Sequence, residues 1–433
     1  MEEWQRSRFD ALASADRWAF SIGPFGSKVT TRDYRAEGVP FIRGVNLARG
    51  IFVDENFVFI SSGKSDEVES ANVLPGDLVF TRKGTVGQVS MIPRVARYQK
   101  YVISGSQVKA RLDETRAVPE FYYYWFASPD GQRSILQHAV TTGVPSLSNS
   151  LASIRGLSVP RPPLGVQQAI AEVLGALDDK IALNDRTAAT TRELCRAYME
   201  ALWADGEVLS LTDRGATIRE GWCRTTLGEL CAVGGGSVQT GPFGSQLHAS
   251  DYVDSGIPSV MPQNIGDNVI SEEGIARITS GDARRLEKYL LAEGDIVYSR
   301  RGDVKRRALV REHEAGWLCG TGCLRVRVGT FTRSLFVSYY LGEPEVQDWI
   351  AQHAVGATMP NLNTSILGEV PVVLPPHQVV HRVHERLAAL DASAAYVTHE
   401  NRTLADLRDT LLPQLVTGKL RVKDATRAVE EVV

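Results

Sequence analysis

Gly23-Pro24-Phe25-Gly26-Ser27 is written a second time as Gly241-Pro242-Phe243-Gly244-Ser245, 218 residues further along a chain of 433. The match continues without a gap. Asp33-Tyr34 falls on Asp251-Tyr252, Gly38-Val39-Pro40 on Gly256-Ile257-Pro258, and Asn46 on Asn264, so ten of 24 positions are identical. The same offset pairs Trp4 with Trp222, Gly76-Asp77 with Gly294-Asp295, Arg82 with Arg300 and Gly84 with Gly302. Further on the offset shortens: Gln137–Val140 matches Gln352–Val355, and Pro162-Pro163 matches Pro375-Pro376. Leu174, Leu177-Asp178 and Leu194 then match Leu387, Leu390-Asp391 and Leu407. The chain is one unit written twice. Two copies are too few for a solenoid and predict an internal pseudo-twofold.

Each copy changes character at its Pro-Pro pair. Before it, short runs such as Asp77-Leu78-Val79-Phe80-Thr81 and Asp295-Ile296-Val297-Tyr298-Ser299 read as strands between Gly- and Pro-containing turns, with a few helices such as Pro119–Phe126. After it, Leu164 to about Ala204 contains no proline. The less polar positions there fall at Ile170, Leu174, Leu177, Ile181, Asn184, Ala188, Thr191, Cys195, Tyr198 and Leu202. That alternating spacing of four and three is a coiled-coil seam. The second copy repeats it at Val383, Leu387, Leu390, Ala394, Val397, Asn401, Leu404, Arg408, Leu411 and Leu415. A helix with one apolar stripe is unstable alone, so each is expected to bury its seam against the other, with Asn184 and Asn401 either fixing register or lying at a solvated edge. Equivalent helices leaving equivalent modules predict an antiparallel pair. The expected fold class is therefore α+β, with two pseudo-twofold-related modules separated by a two-helix antiparallel coiled coil.

Composition narrows the classes. Hydrophobic content of 43% with 23% charged residues is that of a globular chain, and no apolar run is long enough to span a membrane. Met1-Glu2-Glu3-Trp4 is no signal peptide, which predicts a cytoplasmic protein. Five cysteines without a CxxC pair read as reduced, mostly buried thiols. A net charge of −3 argues against coating nucleic acid through bulk positive charge, while leaving room for local basic faces.

The sequence resembles the specificity subunits of type I restriction–modification enzymes. Leu407-Arg408-Asp409-Thr410-Leu411-Leu412-Pro413-Gln414-Leu415-Val416-Thr417-Gly418-Lys419-Leu420 is similar to the end of that family's second conserved helix. Pro160-Arg161-Pro162-Pro163-Leu164 and Leu374-Pro375-Pro376 resemble the approach to each helix. Arg82-Lys83-Gly84-Thr85-Val86-Gly87 resembles the basic Gly-rich turn of many target-recognition modules. The second copy departs from it with Arg301-Gly302-Asp303-Val304-Lys305, and the first helix ends at Ala204-Asp205-Gly206 without the proline. The resemblance implies target-recognition domains at 1–161 and 207–374, conserved long helices at 162–206 and 375–420, and a C-terminal tail at 421–433. It implies one half of a bipartite site in double-stranded DNA read by each module. The helices would serve as ruler and as dock for methyltransferase subunits, two of them, which carry S-adenosylmethionine. Separate restriction/translocase subunits would supply ATP-driven cleavage, leaving this chain without cofactor or catalytic residues.

Candidate DNA-binding residues follow from local charge. Eight Lys or Arg lie between Arg82 and Arg116 against Asp113 and Glu114. Nine lie between Arg284 and Arg311 against four acids. Such local excess can neutralise phosphates, and Arg or Lys at a tight turn can reach guanine. This selects Arg82, Lys83 and Thr85 in the first copy and Arg300, Arg301 and Lys305 in the second, although a charge run alone is more often a solvated face. The repeated Gly-Pro-Phe-Gly-Ser loops offer backbone N–H groups with Ser27 and Ser245 to a phosphate; the competing reading is a structural turn with a buried Phe. Lys28 and Gln246, directly after, differ between copies as base readers should. The loops Thr141–Pro145, with Thr142, and Gly356–Pro360 are further candidates.

Other chemistries are poorly supported. His377, His381 and His384 share one helix face, but no Cys or carboxylate set completes a metal site, and Cys319 and Cys323 near His313 read as packing residues. Gly63-Lys64-Ser65 lacks the upstream glycine of a phosphate-binding loop. No Asn/Asp-Pro-Pro-Tyr/Phe tetrapeptide of an amino-methyltransferase occurs. The alternatives to an adaptor are a nuclease or methylase with unrecognised motifs, or a DNA-binding regulator whose seams complete a homodimer.

Overall fold

The computed structural model describes residues 4–431 apart from Ser27, Ile51, Thr142, 205–207, Leu209, Phe331 and Ala357. The described chain forms two compact units, residues 1–185 with 399–433, and residues 186–398. Two forty-residue helices, Leu164–Trp203 and His377–Val416, contribute a half to each unit. Both start where the Pro-Pro pairs predict. Proline lacks an N–H that the first turn would leave unpaired, and its fixed φ suits that turn. The Pro163 and Pro376 carbonyls accept the first helical bonds, from Val166 and Gln167 and from Val379 and Val380.

The two units share one plan. In the first, strands Phe20–Ile22, Gln107–Ala110, Leu78–Thr81 and Val89–Met91 lie in that order in an antiparallel sheet. A second sheet orders Val58–Ile60, Val39–Ile42, Tyr101–Ile103 and Asn72–Val73, with its middle pair parallel at Phe41↔Val102. The second unit repeats both. One sheet is Ser237–Thr240, Cys323–Arg327, Ile296–Ser299 and Arg307–Leu309; the other holds Ile257–Val260 parallel to Leu318–Cys319. The strands Leu78–Thr81 and Ile296–Ser299 are buried on both faces. Leu78 and Phe80 point into one hydrophobic core and Val79 into another, as do Ile296 and Tyr298 against Val297. Each module also closes on itself. Arg6–Arg8 pairs with Ser158–Pro160, and Cys223–Thr226 with Pro371–Leu374, so first and last strands meet where the long helix begins.

The seams are buried over most of their length, but toward the end of the first helix the buried positions shift by one, from Tyr198 and Leu202 to Met199 and Trp203. In the first unit Ile170, Leu174 and Leu177 share a core with Leu404, Leu411 and Leu415, and with Phe9, Phe80 and Trp125 of the module. In the second, Cys195 and Met199 share one with Val383 and Leu387. Asp178 meets Arg408 and Asp185 meets Asn401 in the first unit; Arg192 meets Thr398 and Tyr198 meets Arg386 in the second. Ascending numbers face descending ones, so the pair is antiparallel. Both asparagines bond across the seam: Asn184 Nδ2 to Glu400 at 2.5 Å, and Asn401 Nδ2 to the Ile181 carbonyl at 3.1 Å and Asp185 at 2.8 Å. Asn184 is buried and Asn401 partly so, and both bond across the seam, as a register-fixing pair would. Past the second helix, Gly418 adopts φ +76°, and a Cβ there would lie 2.6 Å from the Trp4 ring. Residues Val422–Glu430 then form a further helix that buries Ala425 in the first unit's core.

Candidate nucleic-acid interface

In the first unit the sequence-selected loops converge. The chain enters the Gly-Pro-Phe-Gly-Ser loop at Gly23, whose N–H donates to the Gln107 carbonyl at 3.1 Å, and a Cβ there would collide with the Ser104 carbonyl. The Lys28 N–H returns to the Phe25 carbonyl at 2.8 Å, leaving Phe25 near the apex and Lys28 exposed. Segment 104–106 in turn holds the basic turn: Arg82 N–H donates to the Ser106 carbonyl and its Nη1 to the Gly105 carbonyl at 2.7 Å. The basic turn also grips the 141–147 loop. Gly84 N–H donates to the Pro145 carbonyl, Leu147 N–H to that of Arg82, and Lys83 lies opposite Ser146.

The second unit builds the same constellation from different residues. Gly241 N–H donates to Cys323, Gln246 N–H to Phe243, Arg300 N–H to Gly322, Gly302 N–H to Pro360 and Leu362 N–H to Arg300. Arg301 lies opposite Asn361 as Lys83 does opposite Ser146. Gly84 and Gly302 both have left-handed φ, +94° and +76°, so Arg301-Gly302-Asp303 keeps the turn of Lys83-Gly84-Thr85 despite its different sequence.

Side chains divide into presented and inward-turned groups. Lys83, Arg301, Lys28 and Ser245 are exposed. Arg82 is turned inward, its Nε donating to Ser150 Oγ at 2.7 Å, and Arg300 Nε donates to the Leu362 carbonyl at 3.2 Å. Gln246 is also engaged internally: its Oε1 accepts from the Tyr289 hydroxyl at 2.8 Å and from the Phe243 N–H. Thr85 Oγ1 donates to Gln88, and Lys305 Nζ pairs with Asp348 at 2.7 Å. Arg82, Arg300 and Gln246 thus brace the loops, whereas the bonds of Thr85 and Lys305 lie at the surface. Ser27 and Thr142 lie outside the described residues.

Part of the basic excess is paired with carboxylates. Arg94 pairs with Glu114 and Glu120, Arg111 with Asp77 and Asp16, Arg306 with Asp303, Arg311 with Asp391. Lys109 is buried, donates to the Asn72 carbonyl at 2.5 Å, and is pushed down to about 8 by desolvation. The charge runs are therefore not continuous basic faces, and exposed cations at the turns remain as phosphate-binding candidates.

The phenylalanines of the repeated loop lie at the surface. Phe25 is 67% exposed and Phe243 55%, which removes the buried-Phe account of the repeated loop. Their duplication was the available signal. Among the described residues no group of three or more His, Cys, Asp or Glu is arranged to hold a metal, and no described helix is long and apolar enough to cross a membrane. Cys319 and Cys323 are buried, and burial raises both thiols.

Residues 26–190 match the family model described as type I restriction modification DNA specificity domain. The chain is 21% identical to the type I restriction enzyme MjaVIII specificity subunit of Methanocaldococcus jannaschii, across 75% of this chain and 76% of that one. It is 22% identical to the EcoBI specificity subunit of Escherichia coli, across 97% and 86%. The crystal structure of the type I restriction–modification S subunit from M. genitalium agrees in fold, with a TM-score of 0.57 at 17% identity over 95% of this chain and 96% of that one. Duplicated α+β modules on an antiparallel helix pair are the architecture that the chain shares with that subunit. In sequence and in fold the chain is thus similar to type I restriction–modification specificity subunits across most of its length.

Proposed function

We propose that this chain recognises a bipartite sequence in double-stranded DNA, with residues 1–161 and 207–374 as the two readers. The observation that carries the reading is the repeated loop constellation, which presents Lys83 and Arg301 at equivalent positions beside loops whose sequences differ. Equivalent cations serve phosphates, which every site offers, and differing neighbours serve bases, which differ between half-sites. The helices at 162–206 and 375–420, common to both units, act as the spacer and dock methyltransferase subunits, two per chain; restriction/translocase subunits complete the assembly in the cytoplasm. Exposed apolar side chains on these helices, Leu183, Leu194 and Tyr396, support docking there. The methyltransferase subunits bring S-adenosylmethionine and take the target adenine out of the stack.

The test is to express the chain with its methyltransferase subunits in a methylation-free host and map methylated adenines genome-wide. One motif of two defined parts and an unspecified gap is expected. A continuous motif, or none although the complex assembles, would overturn the reading.

A further inference from the structure

The two exposed phenylalanines are buried in neither module's core. Among the described residues, Phe25 and Phe243 are the phenylalanines left largely in water, and they are the two of the repeated motif. Each is held in place without being covered. The Gly23 and Gly241 backbones are clamped against the Ser104 and Gly320 carbonyls, where a Cβ would collide, and the Lys28 and Gln246 N–H groups close the turn behind the ring. The backbone that carries each ring is thus fixed before binding and has little freedom to lose.

Its neighbours are those of a nucleic-acid contact. The Arg300 guanidinium carbon lies 5.9 Å from the Phe243 ring centre, and the backbone of Arg300 joins this loop to the one that carries Met359, 61% exposed, and Val355, 64% exposed. In the first unit Arg82 joins the Phe25 loop, through Gly105, to the loop carrying Val144, 60% exposed. In both units, apolar tips thus stand on loops braced by the arginine that opens the basic turn.

Identity between the copies is informative. A side chain that discriminates bases differs between modules reading different half-sites, as Lys28 and Gln246 do. A side chain kept the same contacts something that both half-sites present. The feature common to any duplex sequence that accepts an apolar ring is the base stack itself. We propose that Phe25 and Phe243 are wedges that enter the stack at one base step in each half-site and partly unstack it, independent of base identity. This rests on the DNA-reading function proposed above and adds to it a deformation step that the chain itself performs.

The experiment uses the full chain assembled with its methyltransferase subunits and a duplex carrying the mapped motif, with 2-aminopurine placed in turn at positions other than the target adenines. Wild type should brighten one step in each half-site. Phe25→Ala should abolish the signal in one half and Phe243→Ala in the other. Each should weaken binding tenfold or more with an unchanged salt slope, because no counterion is involved. A mismatch at the brightened step should tighten wild-type binding and not that of the variant. Both rings are exposed, so melting temperatures should not move, and Phe25→Leu should retain part of the affinity. Salt-dependent binding with no brightened step, or alanine variants that bind and brighten like wild type, would overturn the wedge while leaving DNA reading intact. Loss of affinity mimicked by replacing thymine with uracil, without unstacking, would overturn it in favour of a methyl contact. Absence of DNA binding by the wild-type complex would instead sink the underlying function.

Discussion

The Tyr124 hydroxyl donates to the Asp178 carboxylate at 2.7 Å, and the equivalent Tyr339 donates to Asp391 at 3.1 Å. In each unit a tyrosine of the module is thereby latched to the long helix that follows it. The arginine completing each latch comes from a different place. Arg408, on the second long helix, bonds to Asp178 at 2.8 Å, whereas Arg311, within the second module, bonds to Asp391. Burial raises both tyrosines well above their usual range, so they remain donors at any working pH.

Replacing either tyrosine by phenylalanine should destabilise its unit by about 1.5–3 kcal/mol, the range for a hydrogen bond to a charged group. Tyr339→Phe should cost more, because Asp391 is 4% exposed and Asp178 31%, so water replaces the lost donor less well. Thermal unfolding of the two variants checks the order. Equal, negligible losses would show that the latches do not hold the modules.

Lys83 and Arg301 should behave differently from Arg82 and Arg300. Alanine at either exposed cation should lower affinity for all DNA sequences and make the salt slope shallower by about one unit, with melting unchanged. Alanine at Arg82 removes bonds to Ser150 and Gly105 and should cost stability as well, about 1 kcal/mol. Measured binding at several salt concentrations beside melting curves separates the two kinds of residue.

Glu343 makes the second unit sensitive to pH. It is buried, and burial, reinforced by the charge of Glu200, pushes it up to about 7 from an ordinary 4.5. The folded state thus holds its proton more tightly than the unfolded one. This contribution to stability is fully present below about pH 4.5 and is lost as pH rises through 7. Glu343→Gln should therefore match wild type near pH 4 and exceed it above pH 8 by up to about 3 kcal/mol. Denaturant unfolding at the two pH values is the check. A variant less stable at pH 8 would mean that the carboxylate is stabilised there.

What could be read from the chain was what short-range patterns encode. The repeat, the helix starts at Pro163 and Pro376, and the seams through Leu174 and Leu387 are local in sequence, and the structure follows them. Side-chain direction at the site was not legible. Arg82 and Lys83 are adjacent in sequence, yet one turns inward because Ser150 and Gly105, distant in sequence, offer acceptors. Gln246 is diverted in the same way by Tyr289, and several cations of the basic runs, among them Arg111, Lys305 and Arg311, find carboxylates far along the chain. The double-sided burial of Leu78–Thr81 was hidden for a related reason, since a four-residue strand does not reveal that a second core lies behind Val79.

The most direct test of the central claim, that each module reads its own half of the site, is the methylation map of a chimera. Residues 1–161 would be exchanged for the corresponding module of another specificity subunit, with both long helices and residues 207–374 kept. The account predicts that one half of the methylated motif changes to that of the donor, while the other half and the gap between them persist. A motif in which both halves change together would contradict it.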